Sequence, residues 1–337
     1  MRICICGGGN LGHVTAGFIA AQNQHEVTVL TRRPGLWSNK IIVETPSGEE
    51  LIGHLHGVYS NPQDAINDAD IVLLCLPGFS MHEVLLQIKD WLKPSAAVGS
   101  VVSSTGFFFE AMNVLPPTTV LFGFQRVPFI SRIKDYGHRA HLMGYKTCLH
   151  LAVERLNEKE NLRLTLETML RTPVRLLNNF YEASLSNSNP LLHPSRLYSL
   201  WHNWHEGEVY SRIPLFYEEW TEEAAQFYID MDKELQTLLQ ILPVKSGSVS
   251  TVLEFYESSD AVSLARKLRS IEAFKGIAAP MKKVEGGYIP DFNSRYFRED
   301  FPYGLEIISR IAHEKRIPTP TIDRICEWGM NCLKTQQ

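Results

Sequence analysis

The stretch from Arg2 to Gly17 constrains this chain more than any other. Ile3-Cys4-Ile5-Cys6 is a short apolar run that stops at Gly7-Gly8-Gly9-Asn10-Leu11-Gly12, and Val14, Ala16, Gly17, Ile19, Ala20 and Ala21 then resume an apolar pattern at helical spacing. This reads as strand, tight glycine turn and helix. In the spacing Gly7-x-Gly9-x-x-Gly12 the glycines have separate duties. Gly7 makes the turn, Gly9 lets backbone approach a pyrophosphate, and Gly12 lets the helix lie close to its strand. The free N–H groups of the helix, whose first turn holds Asn10 and Leu11, face the phosphates with the positive end of the helix dipole behind them. Glycine turns are common, and a plain turn is the alternative. The position of this one directly after a strand favours a dinucleotide site contacted by Gly7, Gly9, Asn10, Leu11 and Gly12.

A second strand follows at His25 to Thr31 and ends in Arg32-Arg33-Pro34-Gly35. At such a strand end an acidic residue accepts hydrogen bonds from the ribose 2′-hydroxyl of NAD, whereas an arginine accommodates the 2′-phosphate of NADP. No acid is present here and two arginines follow Thr31. The expected cofactor is therefore NADP, with Thr31 and Arg32 as contacts and NAD as the alternative. The run Asp70-Ile71-Val72-Leu73-Leu74-Cys75-Leu76-Pro77 reads as a central strand covered on both faces. Its end, Leu76-Pro77, falls where such sheets bind ligands. Strand and helix signals keep alternating to Leu177, so residues 1–177 are expected to form an α/β domain of Rossmann type, a doubly wound parallel sheet.

The chain of 337 residues exceeds the usual size of a single core, so a second domain is expected over residues 178–337. There the pattern changes to long amphipathic helices. Thr221 caps one that runs to about Leu242, and others are expected at Val249 to Tyr256, Ala261 to Leu268, Tyr303 to Glu314 and Thr321 to Leu333. This predicts an all-helical substrate domain facing the first across a cleft. A formal net charge of -4 argues against nucleic acid as a partner. No apolar run approaches the roughly 20 residues that span a bilayer, and the N-terminal segment reads as a strand rather than a signal peptide, so no membrane is expected and the location is read as cytoplasmic. The six cysteines include no C-x-x-C pair and read as free thiols, and the twelve histidines show no ligand spacing, so no metal is expected.

Two segments of the second domain carry chemistry. In Asn189-Pro190-Leu191-Leu192-His193-Pro194, Asn189 and His193 share a face if the segment is helical. Downstream, Arg295-Tyr296-Phe297-Arg298-Glu299-Asp300-Phe301-Pro302-Tyr303-Gly304-Leu305 sets an arginine and carboxylates among aromatics before a helix.

With these two segments in order behind the glycine turn, the Asp70 to Pro77 strand, and Met231-Asp232-Lys233-Glu234 in the long helix, the sequence resembles the NAD/NADP-dependent octopine and nopaline, or opine, dehydrogenases over nearly its whole length. The resemblance implies a Rossmann domain followed by a helical domain of the 6-phosphogluconate dehydrogenase-like kind. It also implies reductive condensation of an amino acid's amine with the carbonyl of a 2-oxo acid. His193 is then the general acid/base, Asp300 its orienting partner, Arg295 the holder of a substrate carboxylate, and Asn189 a substrate-positioning residue. These types suit the task. Imidazole titrates near neutral pH, a carboxylate on its other nitrogen fixes the tautomer, and the guanidinium fork matches a carboxylate. The expected partners are small molecules, an amino acid and a 2-oxo acid, with a homodimer permitted. Two other readings are a ketopantoate-reductase-like NADPH-dependent 2-oxo acid reductase, which relies on a lysine, and a non-catalytic NADPH-binding protein.

Overall fold

The apolar runs of the first half build a sheet whose strand ends carry the nucleotide-site residues. The computed structural model describes residues 1–334, and the chain divides into two compact units, Met1–Ser184 and Leu185–Gln337. The strands of the first are β1 (Arg2–Cys6), β2 (Glu26–Leu30), β3 (Lys40–Glu44), β4 (Glu50–His54), β5 (Gly57–Tyr59), β6 (Ile71–Leu74), β7 (Ala97–Ser100), β8 (Val120–Phe124), β9 (Phe129–Asp135), β10 (Arg139–Tyr145), β11 (Leu149–Glu154) and β12 (Val174–Leu176). Its helices are α1 (Asn10–Ala20), α2 (Pro62–Ile66), α3 (Gly78–Ile88), α4 (Phe107–Val114), α5 (Lys159–Leu170) and α6 (Phe180–Ser184).

Eight strands form one sheet in the order β12-β11-β8-β7-β6-β1-β2-β5. All its pairings are parallel except β8 with β11. That reversal has a local cause: β8 reaches β11 through the antiparallel pair β9 and β10, with no crossover helix to return the chain to its starting edge. Strands β6 and β7 are buried at every residue, which is why they read as unbroken apolar runs.

Strands β4, β3, β10 and β9 form a second sheet that packs on α1. Gly17 is in this contact: a Cβ there would lie 2.5 and 2.7 Å from the Val43 and Ile41 side chains. Every residue of α1 from Gly12 to Ala20 is buried. Its apolar character on all sides follows from being enclosed by two layers.

The first unit extends to Ser184, seven residues beyond the boundary expected at Leu177. The reason is packing. Phe180 sits against Phe108 and Phe109 of α4 with ring centroids 5.5 and 5.4 Å apart. The Phe180 N–H donates to Glu154 of β11 at 3.0 Å, and Ala183 joins the sheet's core.

The second unit is helical: α7 (Asn189–Trp201), α8 (Glu222–Leu239), α9 (Val252–Phe255), α10 (Ala261–Ser270), α11 (Arg295–Asp300), α12 (Glu306–Glu314) and α13 (Pro320–Lys334). One antiparallel hairpin, β13 (Met281–Val284) with β14 (Gly287–Pro290), interrupts it. The helix expected over Val249 to Tyr256 is only α9, because Thr251 closes a capping box with Glu254 and starts the helix late. The Met231-Asp232-Lys233-Glu234 segment of α8 holds other helices by their ends. Asp232 accepts from the Val252 N–H at 2.9 Å, and Glu234 accepts from the Thr321 and Ile322 N–H groups at 2.8 and 2.9 Å. These carboxylates satisfy N-terminal amides of α9 and α13, so the segment is structural. Among the described residues no helix is long and apolar enough to cross a membrane.

Candidate active site

In the first unit a nucleotide site is built by the turn after β1. Gly7 has φ +127°, and a Cβ there would lie 2.6 Å from the Cys75 carbonyl oxygen. A Cβ at Gly12 would overlap the Gly7 carbonyl, so α1 begins against the turn itself. Around Gly9 the space is open: nothing lies within 4 Å of where its Cβ would stand. The first amides of α1 lack intrahelical acceptors, as an anion site requires.

His13 braces the turn. Its Nε2 accepts from the Gly137 N–H at 2.8 Å, which leaves Nδ1 protonated to donate to the Gly9 carbonyl at 2.9 Å. Burial lowers its pKa, so the ring stays neutral. Asn10 points elsewhere: its Oδ1 accepts from the Ile133 N–H at 2.8 Å and ties α1 to β9. Only its backbone remains for a phosphate.

A cavity of about 390 Å³ opens beside the turn at the carboxyl ends of β1, β2 and β6, lined among others by Gly7, Gly9, Thr31, Arg32, Leu76 and Pro77. Its size lies in the range of small-molecule sites. Thr31 is buried, with its N–H donating to the Tyr59 carbonyl at 2.8 Å. Arg33 lies over the Tyr136 ring, 4.7 Å from its centroid. Arg32 is exposed and forms no ion pair with a described residue. Open space at Gly9, free amides and an uncommitted guanidinium fit a dinucleotide.

In the helical unit a second group of side chains lies on α7 and α11. His193, 9% exposed, faces Asp300, 6% exposed, with Nδ1 and Oδ2 2.7 Å apart. Nδ1 therefore carries the proton and donates to the carboxylate. Nε2 faces the Tyr217 hydroxyl at 2.9 Å. Tyr296 meets the imidazole edge to face, centroids 4.7 Å apart at 89°.

Local sequence explains how two distant segments meet. Past Asp300 the chain takes a π-helical turn, Phe301–Leu305. In it Gly304 lies so close to the first turn of α7 that a Cβ would stand 2.7 Å from Pro190 Cγ. On the other side, a Cβ at Gly329 of α13 would overlap the Phe301 ring. Glycine at both contacts lets the turn sit between α7 and α13, which brings Asp300 to His193. Pro194 cannot donate to the carbonyl of Pro190, so the helix ladder is open at the same place.

Two models of protein families match the chain. Residues 176–333 match that described as NAD/NADP octopine/nopaline dehydrogenase, alpha-helical domain, and residues 3–124 match ketopantoate reductase PanE/ApbA. The opine dehydrogenase of Haliotis discus hannai is 27% identical over 97% of this chain and 89% of its own. The tauropine dehydrogenase of Arabella iricolor is 28% identical over 98% and 91%. A solved structure of octopine dehydrogenase with NADH and L-arginine superposes with a TM-score of 0.86 at 25% identity, covering 98% of this chain and 89% of that one. The helical unit thus matches the opine dehydrogenase family, and the chain is similar to enzymes of that family over nearly its whole length. It is accordingly an NAD(P)-dependent dehydrogenase. The match to the ketopantoate reductase model is confined to residues 3–124, within the first unit.

Two further expected residues, Asn189 and Arg295, share helices with the His193–Asp300 pair. Asn189, in the first turn of α7, is exposed, and its N–H is shared with Asn187 Oδ1 at 3.3 Å. Arg295 opens α11, exposed and without an ion pair to a described residue. Beyond them, Trp201 and Trp204 both border Phe292, and His202 stacks on Tyr198. Tyr217 was not legible in the sequence. It sits in Pro214-Leu215-Phe216-Tyr217-Glu218-Glu219-Trp220, whose only signal is its aromatic content.

That segment is strapped by Glu219. The carboxylate takes a two-pronged pair from Arg212 at 2.8 and 2.7 Å and accepts from the Leu215 N–H at 2.8 Å. Arg212 first, then that amide, hold its pKa down at about 2 against an ordinary 4.5. A depressed carboxylate stabilises the fold fully above pH 4.5 and loses that contribution as pH falls toward about 2. With Arg212 68% exposed the effect is screened and small, under about 1 kcal/mol. Glu219→Gln is expected to flatten the acid side of the stability curve in this window, read by thermal unfolding at stepped pH. An unchanged acid limb would show that the strap does not titrate.

Proposed function

We propose that the protein carries out NAD(P)H-dependent reductive condensation of an amino acid's amine with the carbonyl of a 2-oxo acid, with NADPH as the preferred cofactor. The observation that carries this reading is the buried His193–Asp300 hydrogen bond of 2.7 Å, made by the two segments that carry the resemblance to the opine dehydrogenases. Support comes from the relatives, which are named opine, tauropine and octopine dehydrogenases.

Each residue has a chemical duty. His193 takes the proton that an ammonium must lose before its nitrogen can attack a carbonyl. Asp300 holds the imidazole in one tautomer and stabilises the imidazolium that results. Arg295 binds a substrate carboxylate with its planar fork, and Asn189 places the substrate beside the histidine. The Gly7 to Gly12 turn holds the pyrophosphate of the dinucleotide, which supplies the hydride when bound. Thr31 and Arg32 take the 2′-phosphate. The uncommitted charge of Arg32 and the absence of an acid at that strand end favour NADPH.

An NADPH-oxidation screen against paired amino acids and 2-oxo acids tests the reading. Oxidation that needs both partners is expected. Oxidation with a 2-oxo acid alone would make the protein a ketopantoate-reductase-like enzyme, and tight binding without oxidation would make it a non-catalytic NADPH-binding protein. Arg32→Ala is expected to raise the KM for NADPH about tenfold or more and to leave NADH unaffected, since a charge-assisted bond contributes roughly 1.5–3 kcal/mol. A wild-type enzyme that uses NADH as well as or better than NADPH overturns the cofactor preference.

A further inference from the structure

We propose that Tyr217 is a further catalytic residue, whose hydroxyl relays a proton between the substrate amine and Nε2 of His193. This rests on the reductive-condensation reading above and adds a member to its proton path.

Nε2 is the ring nitrogen left for chemistry once Nδ1 is bound to Asp300, and the Tyr217 hydroxyl lies 2.9 Å from it. In the neutral imidazole Nε2 has only a lone pair, so the phenol donates. An amine approaching along that line must displace the phenol or exchange its proton through it.

Displacement is opposed on every side. The ring stacks on Phe274 with centroids 4.0 Å apart at 18° and on Trp220 at 5.9 Å and 9°, with Phe216 edge-on at 4.9 Å. The backbone is pinned as well. The Phe216 N–H donates to the Ile277 carbonyl at 2.7 Å, and Nε of the buried Arg196 donates to the Phe216 carbonyl at 2.9 Å. Only the hydroxyl hydrogen is free to change partners.

Burial raises the pKa of the phenol far above its ordinary 10, and the charge of Asp300 adds to this. It therefore remains a donor throughout the neutral range. The titratable groups around it are His193 on α7, Tyr296 and Asp300 on α11, and Tyr256 just after α9.

The step balances. An N–H bond of the ammonium breaks and its proton forms a new O–H bond on Tyr217, while the original Tyr217 hydrogen passes to Nε2. The phenol ends as it began, the amine gains the lone pair that attacks the carbonyl, and the imidazolium is held by Asp300. Run in reverse, the relay delivers that proton to the carbinolamine hydroxyl, which leaves as water.

Tyr217→Phe keeps both stacking contacts and removes the relay. It is expected to lower kcat by about a hundredfold or more, with KM for both substrates within about threefold of wild type and NADPH affinity unchanged. Wild-type kcat in this variant overturns the proposal, because His193 would then act directly. A fluorinated tyrosine incorporated at position 217 preserves ring and hydroxyl and is expected to restore most of the turnover that Tyr217→Phe loses. Turnover as low as that of Tyr217→Phe in this variant also overturns the relay, because the hydroxyl alone would then not account for the loss. Failure of the underlying reading is distinguishable: it appears as turnover retained by His193→Ala. Failure of the relay alone appears as turnover retained by Tyr217→Phe while His193→Ala is inactive.

Discussion

His193→Ala is expected to lower kcat by about a hundred- to ten-thousandfold, the range of general acid–base catalysis, while the affinity for NADPH stays at the wild-type value. The two halves of this expectation come from different parts of the chain. The imidazole lies in the helical unit and contacts Asp300 and Tyr217. The dinucleotide turn and its bracing His13 lie in the other unit. Steady-state kcat at saturating substrates, with cofactor binding followed by NADPH fluorescence, measures both. A kcat near wild type would show that another group is the base. Asp300→Asn is expected to give a smaller loss, because an amide can hold the ring but cannot neutralise the imidazolium.

The second large effect is a contrast between two glycines three residues apart. At Gly12 an added Cβ overlaps the Gly7 carbonyl, and neither backbone can yield without opening the turn. Gly12→Ala is therefore expected to destabilise the protein by about 1–3 kcal/mol and to abolish measurable cofactor binding. At Gly9 the space is open and the backbone, with φ -89° and ψ -173°, suits any residue. Gly9→Ala is expected to leave the unfolding midpoint nearly unchanged and to weaken NADPH binding alone, since the new methyl occupies the side from which a pyrophosphate approaches. Thermal unfolding beside fluorescence titration separates the two. If Gly9→Ala binds NADPH as wild type does, the phosphates do not pass over Gly9.

The glycine turn was legible because its pattern is local: a strand, three spaced glycines and a helix within twenty residues. The β6 strand was legible for a similar reason, since burial on both faces writes an unbroken apolar run. The second sheet is not legible in the sequence, because β3 pairs with β10, Ile42 against Arg139, far along the chain. The unit boundary was placed early because Phe180 gives no sign that it packs on α4. Asn10 was read as a cofactor contact, yet its side chain belongs to β9, a tie set by tertiary register.

By itself the sequence determined the order of two units and the glycine turn between β1 and α1. These are carried by spacing along the chain, where the physics is that of neighbours on one helix or one turn. Only the tertiary structure decided that Asp300 meets Nδ1, because the contact depends on Gly304 lying against Pro190 and Gly329 against Phe301. It likewise decided that Tyr217 meets Nε2. A hydrogen bond between residues far apart in the chain is fixed by how closely their helices can approach, and no periodicity in the sequence records that distance.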